Sequence, residues 1–163
     1  MTEHESKLII NNNFDFILLE SGLKNREYRY IAEGSGRRVY DLNNGYVVKV
    51  AKNPRGLAQN EAEFSISRKS HTKILSNVLA TSKDYRFLIM EKAERIRNIY
   101  YVMTYYKVKN VRELYHLKEL QEISHDFNLV LKDLGRGSNW GQIDNRPVII
   151  DYGFTMEVRK KYY

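Results

Sequence analysis

Hydrophobic and polar positions alternate in short runs through the first half of the chain and recur at helical spacing in the second. Residues 14–23 read as a short helix stopped at Gly22, and residues 27–33 alternate aromatic or apolar with charged side chains, as a half-buried strand does. Residues 39–42 and 46–51 flank Asn43-Asn44-Gly45, which predicts a hairpin because Asn and Gly accept positive φ between β-branched runs. After a loop at residues 53–56, a helix-like stretch runs from Leu57 to about Leu75. Residues 78–81 and 85–90 follow as two strands joined at Ser82-Lys83-Asp84. Leu114, Leu117, Leu120 and Ile123 then recur at three-residue steps, predicting mostly helix from Val111 to about Leu131. A loop over residues 133–139 and a small hairpin, residues 140–143 with 148–150, complete the pattern. Five antiparallel strands with one inserted helix, then helices and a hairpin, define an α+β fold class.

Composition narrows the picture. At 163 residues, with 42% hydrophobic and 29% charged, the chain has the size and balance of one ordered domain. It contains no cysteine, which removes disulfides and thiolate metal sites. Residues 1–7 are polar and only Leu8, Ile9 and Ile10 follow as an apolar run, so no signal peptide is expected. No apolar stretch approaches the ~20 residues of a membrane span, and cytoplasmic residence with no membrane partner is the expectation. The formal charge of +7 suits an anionic ligand or partner, or simply a solubilising surface.

Several residues carry candidate chemistry. Gly34 and Gly36 lie between two predicted strands, where backbone N–H groups can approach phosphate oxygens without a Cβ in the way. Arg37 and Arg38 beside them favour an anion, although a plain glycine turn fits the same residues. Lys49 sits mid-strand among Val47, Val48, Val50 and Ala51; it either faces solvent or is buried with a counter-charge. Glu63 is the preferred partner, since Ala62 and Ile66 put it toward the sheet-facing side, with Glu61 as the alternative. Asp133 and Asn139, six positions apart in a turn-rich stretch, supply a base for a hydroxyl and an oxygen for Mg²⁺, or serve as ordinary turn formers. Asp151 follows the apolar strand residues Val148, Ile149 and Ile150, and a carboxylate buried there calls for a metal, a cation or backbone N–H groups.

Taken in order, these residues resemble the protein-kinase-like superfamily over residues 28–154, in the style of its compact bacterial, phage and aminoglycoside-phosphotransferase-like members. The resemblance implies a minimal kinase-like α+β fold spanning residues 1–163, with residues 1–92 as an N-terminal lobe and 93–163 as a reduced C-terminal lobe. It implies ATP and Mg²⁺ as ligands and phosphoryl transfer to a hydroxyl of a small molecule or partner protein. Gly34 and Gly36 would match the phosphate-covering loop, Lys49 the phosphate-holding lysine and Glu63 its ion-pair partner. Glu91 and Ala93 would lie in the adenine hinge, Asp133 would be the catalytic aspartate, and Asn139 and Asp151 the metal ligands. Asp151-Tyr152-Gly153 stands for the Asp-x-Gly motif.

Three departures qualify the match. Val39 stands at the third glycine of the loop, Leu131 and Lys132 replace the usual His-x pair before Asp133, and the Asp133 to Asn139 interval is one residue longer than the family's. Only residues 154–163 follow Gly153, too few for an activation segment, so no peptide-substrate platform is expected within this chain, and whether a protein partner completes the reduced lobe is left open. A catalytically inactive, pseudokinase-type binder is one alternative. A nucleic-acid-binding module is another, because Arg95, Arg97, Tyr100, Tyr101, Tyr105, Tyr106, Lys107 and Lys109 interleave bases with aromatics. Scattered His4, His71, His116 and His125 offer no zinc-protease spacing.

Overall fold

The computed structural model describes residues 9–10 and 13–163, with side chains from Phe14 onward. The leader reading of residues 1–7 lies outside the described residues. Two compact units emerge, one comprising the chain up to Phe64 with Asn77–Lys92, the other Ser65–Ser76 with Ala93–Tyr163.

The first unit holds a five-stranded antiparallel sheet. Its strands are β1 (Arg29–Glu33), β2 (Arg37–Asp41), β3 (Tyr46–Ala51), β4 (Val78–Thr81) and β5 (Phe87–Glu91), ordered β1-β2-β3-β5-β4. The β2–β3 hairpin forms where Asn43 and Gly45 take φ of 58° and 85°. Strand β1 differs from its half-buried expectation, since all five residues are exposed at the sheet edge. The buried aromatic is Tyr28, one residue earlier.

Helix α1 (Phe16–Lys24) begins where the Asp15 carboxylate accepts a 2.9 Å bond from Leu18 N–H. It runs past Gly22 rather than stopping there. That glycine is buried against Tyr28, whose ring carbon would lie 2.5 Å from any added Cβ, so close packing and not termination explains it. Leu19, Leu42, Val48, Phe87 and Ile89 form the surrounding core.

Helix α2 (Pro54–Lys69) ends six residues before the expected Leu75. Ser70 and Thr72 hydroxyls accept from Thr72 N–H and Ile74 N–H, both at 3.2 Å, and these local bonds compete with helix continuation.

In the second unit β6 (Glu94–Arg95), β7 (Trp140–Ile143) and β8 (Arg146–Ile149) form a three-stranded antiparallel sheet ordered β8-β7-β6. Asp144 and Asn145, at φ 50° and 60°, make the β7–β8 turn. Leu75 pairs with Ile149 in a parallel bridge, and Tyr152 donates a 2.6 Å bond to the Ser76 carbonyl.

The predicted helix over 111–131 breaks into α4 (Val111–Tyr115) and α5 (Lys118–Phe127), followed by 3-10 turns at Leu131–Gly135 and Gly137–Asn139. Steps of three fall short of the turn of about 3.6 residues, so one straight helix cannot keep all four apolar residues on a face. The chain breaks at extended Leu117, and Leu114, Leu120 and Ile123 are buried on the two pieces.

Two further helices were not expected. One is α3 (Tyr100–Tyr106), burying Val102 and Met103. The other is α6 (Met156–Tyr162), where Thr155 caps the start, Glu157 occupies the first turn and Arg159, Lys160 and Lys161 the last. Among the described residues, no helix is long and apolar enough to cross a membrane.

Candidate functional site

In the first unit, Lys49 and Glu63 are buried together, 5% and 0% exposed. The Lys49 ammonium donates to both carboxylate oxygens, at 3.0 Å and 2.9 Å. Of the two glutamates left open by the sequence, Glu63 is the partner, and Glu61 is exposed. The pair forms because Lys49 occupies an inward position of β3 while Glu63 lies on the buried side of α2. The solvent-facing reading of Lys49 is thereby corrected.

Arg37 was expected to serve an anion. Its guanidinium instead turns inward and donates to Glu63 Oε1 at 2.8 Å and to Asn60 Oδ1 at 3.1 Å. Val39 pairs with Lys49 and Arg37 with Ala51, so the two cations are diagonal neighbours on one sheet face. Asn60 and Glu63 meet them from one helix face three residues apart. Burial pushes the Glu63 carboxyl up, but the Arg37 and Lys49 charges and hydrogen bonds outweigh it and hold the carboxyl down to about 2. The neighbouring Arg38 is exposed and faces Glu33 at 3.4 Å.

Gly34 and Gly36 play different parts. Gly36 packs against the first turns of α2, where a Cβ would lie 2.6 Å from Gln59 Oε1 and 2.9 Å from Gly56 N. Gly56 is tighter, its Cβ position falling 2.0 Å from the Gly36 carbonyl oxygen. Asn53 Nδ2 donates to the Ser35 carbonyl and Lys52 N–H to that of Gly36, at 2.9 Å and 2.8 Å, so the turn is pinned to the helix start. A Gly34 Cβ meets nothing within 4 Å. Gly56→Ala is expected to lose about 1–3 kcal/mol through forced backbone movement, while Gly34→Ala stays near wild type. Urea unfolding of the two variants checks this pair.

At the exit of β5, Glu91 N–H donates to the Asn77 carbonyl at 2.9 Å. Ala93 lies in the second unit, with its Cβ 2.8 Å from where Gly141 would carry one.

In the second unit, Asp133, Asn139 and Asp151 converge. Asn139 Nδ2 donates to the Asp133 carbonyl at 2.7 Å, and Ile150 N–H donates to the Asn139 carbonyl at 2.8 Å. Asp133 is half-buried, and its buried Oδ2 accepts no hydrogen bond from any described residue. Burial pushes its carboxyl up; Arg136 and Arg159 pull it down, and the Asp151 charge raises it.

Asp151 itself is exposed, two residues beyond the end of β8. This corrects the expectation of a buried carboxylate, since the strand closes at Ile149 and the chain turns outward before Tyr152 buries again. Asn139 Oδ1 and the Asp151 carboxylate are hard oxygen donors. They fit Mg²⁺, which takes one or two protein ligands beside phosphate oxygens and waters. No group of three or more His, Cys, Asp or Glu with metal-holding geometry occurs among the described residues.

The basic and aromatic stretch divides. Tyr100 and Tyr105 are 67% and 50% exposed, and Arg95, Arg97, Lys107 and Lys109 face solvent. Tyr101 and Tyr106 are half-buried, and burial pushes the Tyr106 phenol up.

No protein-family model matches the sequence, and no curated protein does. Among solved structures, the chain is similar to APH(2")-IIa in its ternary complex with streptomycin and ATP, at 20% identity over 86% of this chain and 71% of that chain, TM-score 0.45. It is similar to the gentamicin complex of APH(2")-IIa at 19% identity, covering 87% and 71%, TM-score 0.47. ADP-bound aminoglycoside phosphotransferase APH(2'')-Ib gives 18% identity, 86% and 71%, TM-score 0.47. At this level of identity and superposition the likeness assigns no role to this chain.

Proposed function

We propose that the chain binds a nucleoside triphosphate with Mg²⁺ and transfers the terminal phosphoryl group to a hydroxyl. The observation that carries this reading is the buried Lys49–Glu63 pair, with Arg37 beside it. Buried ion pairs are poor stabilisers compared with apolar packing, so a strand lysine held this way fits a binding role better than a scaffolding one. In this reading Lys49 binds phosphate oxygens and Glu63 orients the ammonium. Asp133, with one carboxylate oxygen unbonded and its carboxyl raised, orients the acceptor hydroxyl and takes its proton. Asn139 and Asp151 hold the ion, which neutralises charge on the phosphate oxygens. Glu91 and Ala93 are proposed for the adenine edge, and the backbone at Gly34 for the phosphates.

Binding without transfer is a second reading. The longer Asp133 to Asn139 interval and the Arg136 guanidinium 3.9 Å from Asp133 Oδ1 favour it. Thermal unfolding with Mg²⁺ and ATP tests the shared part. A ligand at a hundred times its Kd stabilises by about 2.7 kcal/mol, a rise of roughly 5–10 °C for a chain of this size. An unchanged Tm removes the nucleotide reading, and retention of Mg²⁺ dependence in Asp151→Asn removes the metal role. Salt-sensitive binding of single strands without any ATP response would shift the assignment to the exposed Tyr100 and Tyr105 region.

A further inference from the structure

Phosphate binding by Lys49 and orientation by Glu63 leave Arg37 without a task, yet its placement is as specific as theirs. It is the first residue of β2, directly after the Gly34-Ser35-Gly36 turn, and is buried at 6% exposure. One arm of its guanidinium reaches Glu63 Oε1 at 2.8 Å, the same oxygen that Lys49 contacts at 3.0 Å. The other arm reaches Asn60 Oδ1 at 3.1 Å. Asn60 in turn donates to the carbonyls of Lys49 at 3.2 Å and Tyr85 at 2.8 Å.

We propose that Arg37 is a positioning residue for the nucleotide site: it fixes the Glu63 carboxylate, and through it the Lys49 ammonium, to the glycine turn. The inference rests on the nucleotide reading above. A carboxylate held by a single ammonium can pivot about its own bond, because an ammonium is a point donor. A planar guanidinium bonded to both Glu63 and Asn60 removes that freedom. The residue's backbone belongs to the turn as well, since Gly34 N–H donates to the Arg37 carbonyl at 2.9 Å. One residue therefore connects turn, strand and helix. Lysine at this position would keep the charge but reach only one of the two acceptors.

The test is a double-mutant cycle read on affinity for Mg²⁺ and a non-hydrolysable ATP analogue, with urea stability measured in parallel. Arg37→Gln is expected to weaken binding by about tenfold or more, the scale of one lost charge-assisted hydrogen bond. Arg37→Lys should fall between it and wild type. In a Glu63→Gln background, Arg37→Gln should weaken binding no further, because Arg37 acts through that carboxylate. A variant that is less stable but binds with unchanged Kd overturns the proposal, as does full additivity with Glu63→Gln. If Arg37→Gln does not fold, Arg37→Lys decides: unchanged affinity there overturns it too. Failure of the wild-type protein to bind the analogue is a different result, and overturns the nucleotide reading itself.

Discussion

Replacing Glu63 with alanine should lower stability at pH 7 by about 3–5 kcal/mol, the usual result of removing one partner from a buried charge cluster. Arg37 and Lys49 both lose the carboxylate they bond, inside a region where Glu63 is 0% and Lys49 5% exposed. For a chain of this size the loss corresponds to a fall in Tm of roughly 10 °C. Glu63→Gln keeps the shape and loses the charge, and should fall by less. The pH dependence has a definite sign. The Glu63 carboxyl is held near 2 in the fold, below its ordinary value of 4.5. Its contribution is therefore fully present above about pH 4.5 and is lost as pH falls toward 2. The gap between wild type and Glu63→Ala should narrow across that acid window in urea titrations. A gap that is small at neutral pH would mean that the pair contributes no cohesion, and a constant one that Glu63 does not titrate as described.

Asp133→Asn should do the reverse to stability while removing chemistry. If Asp133 is the base of a phosphoryl transfer, the rate should drop by about 10²–10⁴-fold, with affinity for Mg²⁺ and nucleotide retained. Burial first, and the Asp151 charge with it, outweigh Arg136 and Arg159 and raise the Asp133 carboxyl above its ordinary 3.8. A carboxyl raised in the fold costs stability as pH climbs through and above its ordinary value. The neutral amide avoids that cost, so Tm at pH 7 should rise. A variant with full turnover would remove the base role. One that melts earlier would show that the carboxylate is held for structure.

Much of the fold was legible because its signals are local. Asn43-Asn44-Gly45 specifies a turn by backbone conformation alone, and short, nearly continuous apolar runs mark β3 and β5. Gly22 misled because the same residue serves termination and close packing, and only the Tyr28 ring distinguishes the two. Helix α6 carried a readable signature in Thr155, Glu157 and the three basic residues of its last turn. Its short length and lack of an apolar stripe concealed it.

At the candidate site, Lys49 and Glu63 were recoverable because an ammonium in an apolar strand needs a carboxylate. The inward turn of Arg37 was not, since Arg37 and Arg38 read alike in sequence and differ only in which sheet face they occupy. Asn60, three residues before Glu63, was a missed cue of the same kind. Asp151 was expected to be a buried carboxylate and is exposed. The strand before it is buried, but the strand ends at Ile149 and its burial does not extend to residue 151.

The bonds around residues 73–76 have a consequence for how the chain acquires its structure. Ile74 accepts from Ile149 N–H at 2.6 Å, Ser76 N–H donates to the Ile149 carbonyl at 2.9 Å, and Arg146 reaches the Lys73 carbonyl at 2.6 Å. This segment leaves the ribosome some seventy residues ahead of the strand that holds it. The bonds this stretch makes to residues 146–149 cannot form until those residues have been made. Such long-separated pairings delay closure and lengthen exposure to aggregation. Completion of the second unit thus depends on pairings about seventy residues apart.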